Sequence, residues 1–312
     1  MTRQNSQFNA GTRDMQIQAN GIHLEVEDHG NKDNTPLILI RGQGSQLAHW
    51  PDALVQGFVD AGYRTIIFDN RDTGLSARCP HPDAPGEAGA VLDLIRAGGP
   101  LPQPYDIHDM VGDVIGVMDA LNIERAHVFG ISMGGAILQQ LCIDHADRVL
   151  SATIVMTACR PFVDRTSGST EDLVALAQSL LVAPRTRTEY LDGQVEEHAN
   201  WGSPGYPMPE ADIRAMANRA YDRGVDDEGM NRQVLAIASA GDRRPGLTSL
   251  ALPCLVIHGT DDTLIPLELG QEIADHIPDS EYHAIKGMGH IITPALSPVI
   301  VDLVTDFIGR RG

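Results

Sequence analysis

The chain has 312 residues, with Lys+Arg 23 against Asp+Glu 42 and a formal net charge of −19. That balance repels a phosphate backbone and an anionic membrane surface, so neither nucleic acid nor membrane is an expected partner. Apolar residues make up 42%, enough for a sizeable core and too many for intrinsic disorder.

Residues 1–13 read as a polar N-terminal extension without the apolar stretch of a signal peptide. No apolar run reaches the roughly 18 residues of a membrane span. The cysteines at 79, 142, 159 and 254 form no CxxC pair, which argues against a zinc knuckle or redox motif. Cys142 and Cys254 read as small core residues inside apolar runs, which points to a reducing compartment. A cytoplasmic protein is expected.

Residues 15–29 alternate apolar and polar side chains around Asn20-Gly21, a hairpin signal. Short apolar runs then alternate with helical periods. Leu37–Ile40, Arg64–Phe68, Ala126–Phe129 and Leu150–Met156 read as strands. Trp50–Ala61, Asp109–Leu121 and Gly134–Ile143 read as the helices between them. This rhythm predicts an α/β fold: a mostly parallel central sheet with helices on both faces. It breaks over 160–245, where helical patterns at 171–182, 186–198 and 210–222 are separated by Pro/Gly-rich links. It resumes with strand Cys254–Ile257, helix Glu268–His276, strand Glu281–Ile285 and helix Pro298–Ile308. The expected organisation is a core domain of residues 14–159 and 246–312 interrupted by a helical cap, 160–245. A proline-rich excursion, 79–105, contains the apolar segment Ala90–Ile95 and is a candidate for the same lid.

Gly130-Ile131-Ser132-Met133-Gly134 is G-x-S-x-G, directly after a strand and directly before a helix. A serine on so tight a turn is lifted out of the sheet, and flanking glycines are needed where a Cβ would clash. The same turn aims the first amides of the next helix at the hydroxyl, where negative charge would develop. A glycine-rich turn with an ordinary serine has the same letters; the strand–turn–helix context favours the nucleophile. A serine hydroxyl needs a base, and the base an orienting acid. Asp261-Asp262 follow the strand Cys254–Ile257, and His290 follows the strand Glu281–Ile285, both on the sheet edge that carries Ser132. The oxyanion donors expected are the backbone N–H groups of Met133 and of Gln43, in the turn after Leu37–Ile40. His258 reads as a structural hydrogen-bonder. No His/Cys/Asp/Glu grouping has helical metal spacing, so neither metal nor cofactor is expected.

With Phe68-Asp69-Asn70-Arg71-Asp72-Thr73-Gly74-Leu75-Ser76, Val128–Gly134 and Gly287-Met288-Gly289-His290, the chain resembles the α/β-hydrolase superfamily over residues 14–312. Within it, the likeness is to esterases of the aclacinomycin methylesterase type. The superfamily pattern G-x-x-D-x-x-x-P falls on Gly259, Asp262 and Pro266, which selects Asp262 over Asp261. The resemblance implies a Ser132-Asp262-His290 triad, in the chain order of that superfamily. One departure is that the superfamily often carries His-Gly where this chain has Arg41-Gly42.

The leading expectation is a serine hydrolase of carboxylic esters working through an acyl-enzyme on a small-molecule substrate. Lactone, C–C and amide hydrolysis and perhydrolysis share the triad, and a receptor-like ligand-binding member of the fold is the non-enzymatic alternative. Gly44, Trp201, Tyr206 and Met208 are candidates for lining the substrate pocket. Nothing in the sequence speaks to oligomeric state.

Overall fold

A computed structural model describes residues 12–161, 164 and 170–311. Its strands form one sheet in the order β1 (Arg13–Ala19), β2 (Ile22–His29), β4 (Arg64–Phe68), β3 (Pro36–Ile40), β5 (Ala126–Ile131), β6 (Val149–Val155), β7 (Cys254–Gly259) and β8 (Glu281–Ile285). β2 runs antiparallel to both β1 and β4, and every other neighbouring pair is parallel. Asn20 and Gly21 join β1 to β2 with φ of 48° and 78°, the left-handed pair that a two-residue hairpin turn requires. The first strand begins at Arg13, two residues before the expected start at Met15, and the Arg13 side chain reaches Asp28 on β2.

Side-chain alternation along the parallel strands sorts the core into two layers. Leu37, Leu39, Phe129 and Ile131 face one side with Leu54 and Phe58 of α1 (Asp52–Asp60) and Ile300, Val304 and Phe307 of α11 (Ser297–Arg311). Ile38, Ile40, Ala126 and Val128 face the other. There they meet α3 (Ile107–Ala120), α4 (Met133–Asp144) and α10 (Leu267–His276). α4 is wedged between the sheet and α3, which is why its sequence is apolar nearly all round rather than striped.

Between β6 and β7 the chain leaves the sheet. It forms α5 (Thr170–Leu180), α6 (Arg187–Trp201), α7 (Glu210–Arg223), α8 (Asp227–Ala238) and the short α9 (Arg244–Leu247). The excursion 79–105 contains α2 (Ala88–Ala97), which packs on α5 and α8 and so joins this insertion. α8 has no counterpart among the predicted helices, because its polar residues are buried. Arg232 pairs with Asp72, Gln233 donates to the Arg71 carbonyl and Thr73 Oγ1, and Asn231 donates to the carbonyls of Gly86 and Val182. A helix that buries Asn231, Arg232 and Gln233 along with its apolar residues leaves no clean polar stripe to reveal its period. Among the described residues, no helix is long and apolar enough to cross a membrane.

Candidate active site

The β5–α4 turn holds Ser132 at φ 53°, ψ −121°, a strained conformation for a residue with a Cβ. It is held by local crowding. A Cβ on Gly130 would run into the Gly134 carbonyl, and one on Gly134 into the Ile40 carbonyl at the end of β3. Gly42 lets the next loop approach as well: a Cβ there would sit 3.1 Å from that of Ser132. The Ser132 amide is tied to the Val155 carbonyl at 3.0 Å.

The two other predicted residues converge on this serine. Ser132 Oγ lies 3.0 Å from His290 Nε2, and His290 Nδ1 lies 2.8 Å from Asp262 Oδ2. With Nδ1–H donating to the carboxylate, Nε2 is left bare to accept from the hydroxyl. The other oxygen, Asp262 Oδ1, accepts from the amides of Leu264 and Ile265 at 3.0 and 2.8 Å. Burial alone would raise the Asp262 carboxyl. The charge of a protonated His290 and the hydrogen bonds from His258, His290 and Ile265 outweigh it and hold the carboxyl well below the usual range. His258 is the structural hydrogen-bonder expected, with Nε2 donating to the Ile265 carbonyl at 2.9 Å. Asp261 points elsewhere: it is exposed and accepts from Thr260 Oγ1 and the Gly287 amide. The His290 amide donates to the Trp201 carbonyl at 2.7 Å, so the helical insertion also helps to seat the imidazole.

Ser132 opens on a cavity of about 520 Å³ and on a second of about 200 Å³; Gln43, Leu180 and Leu264 also line both. Met133 lines the smaller one. The Gln43 side chain donates to the carbonyls of Leu180 and Met230, pinning its loop to α5 and α8. Gly44, Trp201 and Met208 line the larger cavity. Tyr206 does not: it packs against the Leu37–Phe129 layer, and its carbonyl accepts from Thr293 Oγ1. Its neighbour Gly205 pairs with Gly287 through the backbone, which turns this loop towards the sheet.

The larger cavity is more polar than the sequence suggested. Arg41, His49, Arg185, Gln194, Glu197 and His198 all line it. His49 Nδ1 accepts from the Gln46 amide at 2.8 Å, and Nε2 contacts Tyr190 Oη at 3.2 Å. Desolvation, reinforced by the Arg41 charge, pushes the His49 imidazole down to about 3. A capping box of Thr186 and Glu189 was the available sequence sign of α6. Nothing in the sequence announces which of its residues face the cavity.

Fold and site together define a class of protein. Residues 35–197 match the profile of the alpha/beta hydrolase fold, and the chain belongs to that family. It is 25% identical over 291 residues to the rhodomycin D methylesterase DnrP of Streptomyces peucetius, covering 88% of this chain and 91% of that one. It is 28% identical over 296 residues to the putative carbamate hydrolase RutD of Variovorax paradoxus, covering 93% and 96%. The crystal structure of the enol-lactonase from Burkholderia xenovorans LB400 superposes with a TM-score of 0.67 at 25% identity, over 95% of this chain and 100% of that one.

Proposed function

We propose that the chain hydrolyses carboxylic esters of small molecules through a Ser132-His290-Asp262 triad. Ser132 Oγ attacks the ester carbonyl while His290 Nε2 takes the hydroxyl proton. The oxyanion accepts from the backbone amides of Met133 and Gln43. Collapse expels the alkoxide, which receives the proton from His290, and leaves an acyl group on Ser132. Water then gives a proton to His290 and its oxygen to the acyl carbon, releasing the acid and restoring the serine. Asp262 holds the imidazole in the tautomer that accepts from serine and stabilises its charged form.

The observation that carries this reading is the continuous Ser132–His290–Asp262 hydrogen-bond chain at the mouth of two cavities. An ester carbonyl has two substituents, and the two cavities offer a place for each. We further propose that residues 160–245 act as a cap that selects the ester, since their α6 and α7 supply one wall of the larger cavity. A cytoplasmic location fits the four cysteines, which are all free.

The test is steady-state turnover of 4-nitrophenyl and methyl esters of graded acyl size. Wild type is expected to show multiple turnovers, and Ser132→Ala to lose about 10³-fold or more while staying folded. Near-normal turnover by Ser132→Ala would end this reading.

A further inference from the structure

The buried arginines of this molecule are compensated. Arg64 pairs with Asp28, Arg71 with Asp113 and Arg232 with Asp72. Arg243 faces no carboxylate, but its guanidinium donates to Gln139 Oε1 and to the carbonyls of Ala158 and Gly241. Arg41, directly after β3, has neither kind of partner among the described residues. Its Nε is buried without a hydrogen-bond acceptor, and its guanidinium lies over the Trp50 ring, 4.6 Å from the centroid. Stacking on an aromatic face offsets only part of the cost of desolvating a cation.

The position of this cation matters as much as its isolation. Arg41 lines the same 520 Å³ cavity as Ser132 and His290, and is next in sequence to Gly42, which abuts Ser132. Its charge acts on His49 and His198, two other residues of that cavity. His198 donates from Nδ1 to the Gln194 carbonyl, and its Nε2 is a second buried polar atom without a partner. The cavity's inner acid, Glu197, does not supply the missing counter-charge. It accepts from Gln194, and the cation that acts on it is Arg185, itself paired with Asp227.

We propose that Arg41 is a specificity-determining residue whose guanidinium binds a carboxylate carried by the ester substrate in the larger cavity. The substrate class is therefore an ester that bears a second, free carboxylate. A planar guanidinium presents paired N–H donors that match a carboxylate. Burial brings Arg41 down to about 9, so it is still cationic at neutral pH. A bound anion would offset the Arg41 charge at His198. That favours uptake of a solvent proton on Nε2, which turns the unpartnered acceptor into a second donor. With a net charge of −19, the protein as a whole repels such substrates. A half-buried local cation on the cavity wall is what would make them bind.

The inference rests on the ester-hydrolase reading for the reaction, but its anion site can be tested without turnover. Two substrate pairs are compared: mono-4-nitrophenyl glutarate with 4-nitrophenyl valerate, and 4-acetoxybenzoate with phenyl acetate. They place the carboxylate on the acyl and alcohol sides respectively. The expected result is a kcat/KM preference for the charged member of at least one pair, of about 10- to 100-fold, the range of a charge-assisted hydrogen bond. Arg41→Gln or Arg41→Met should abolish it, costing the charged member at least about 10-fold more than the neutral one. No charged preference in either pair, a preference that survives the substitution, or equal losses on charged and neutral esters would overturn the proposal. Calorimetry with glutarate, against neutral glutaramide, supplies the readout that needs no chemistry and no folded variant. Selective binding of the dianion by wild type supports the subsite even if no ester is turned over, and absence of that selectivity overturns it.

Discussion

Ser132, Asp262 and His290 stand on turns that follow the strands β5, β7 and β8, while the opposing wall of the cavity comes from helices and loops inserted between β6 and β7. The first side is held by parallel pairing and by backbone contacts that leave no room for a Cβ at Gly130 or Gly134. On the second side α5 and α8 join the main core, while α6 and α7 pack on each other through a small cluster of Tyr190, Ala217 and Ala220. Exposed ion pairs such as Arg214–Asp192 add little to it. The contrast matches a division of labour: chemistry needs fixed distances, whereas substrate choice tolerates a wall that can be reshaped.

Substitutions at the Asp261-Asp262 step should have the largest effect on the rigid side. Asp262→Asn should cost at least about 10²-fold in kcat, because the His290 tautomer is lost. Asp261→Asn should stay within about 3-fold, since its oxygens serve only Thr260 and Gly287. Rate measurements on both variants decide the matter; a larger loss for Asp261→Asn would place the acid one residue away. On the inserted side, Trp201→Ala should reorder the ester panel by about 10-fold and leave a small activated acetate nearly unaffected. Tyr206→Ala, outside the cavity, should lower the melting temperature without changing that order. Parallel shifts in both variants would remove the distinction between wall and support.

How readable each side is from sequence follows the same division. The serine, acid and histidine are legible because the chemistry demands those residue types and each sits where a short apolar strand ends. The wall is not. In the wall His198 matters through the facing of α6, and Arg41 and His49, in the core loop after β3, through what surrounds them. α8 is hidden because burying Asn231, Arg232 and Gln233 erases the pattern by which a helix is recognised. Tyr206 was a reasonable pocket candidate as an aromatic in a Pro/Gly-rich link, and only the Gly205–Gly287 pairing shows that its loop turns towards the core.

The pH dependence of stability should also mark the place where the core meets the inserted wall, since His49, in the loop after β3, contacts Tyr190 of α6. Folded His49 takes up its proton only near about 3, whereas an unfolded histidine does so near about 6.5. Between those values the unfolded chain binds more protons, so stability rises with pH across the window and falls as pH drops through it. Buried His127, lowered to about 4, contributes in the same direction on the sheet side. His49→Gln should flatten the slope of unfolding free energy between pH 6 and 4 by about one proton, or ~1.4 kcal/mol per pH unit. An unchanged slope in urea titrations would show that His49 is not held neutral. The smallest effect expected is at Gly193, within α6, where an added Cβ meets only the end of Arg185 at 3.9 Å. Gly193→Ala should stabilise by about 0.5–1 kcal/mol. Gly134→Ala, forced against the Ile40 carbonyl, should destabilise instead, and chemical denaturation reads both signs.

The most direct test of the central claim is intact-mass and peptide mapping after treatment with a fluorophosphonate and, separately, after quenching a slow ester in turnover. One adduct per chain is expected, on Ser132, in both cases, and none in Ser132→Ala. An adduct on any other residue, or ester turnover without acylation of Ser132, would contradict the claim.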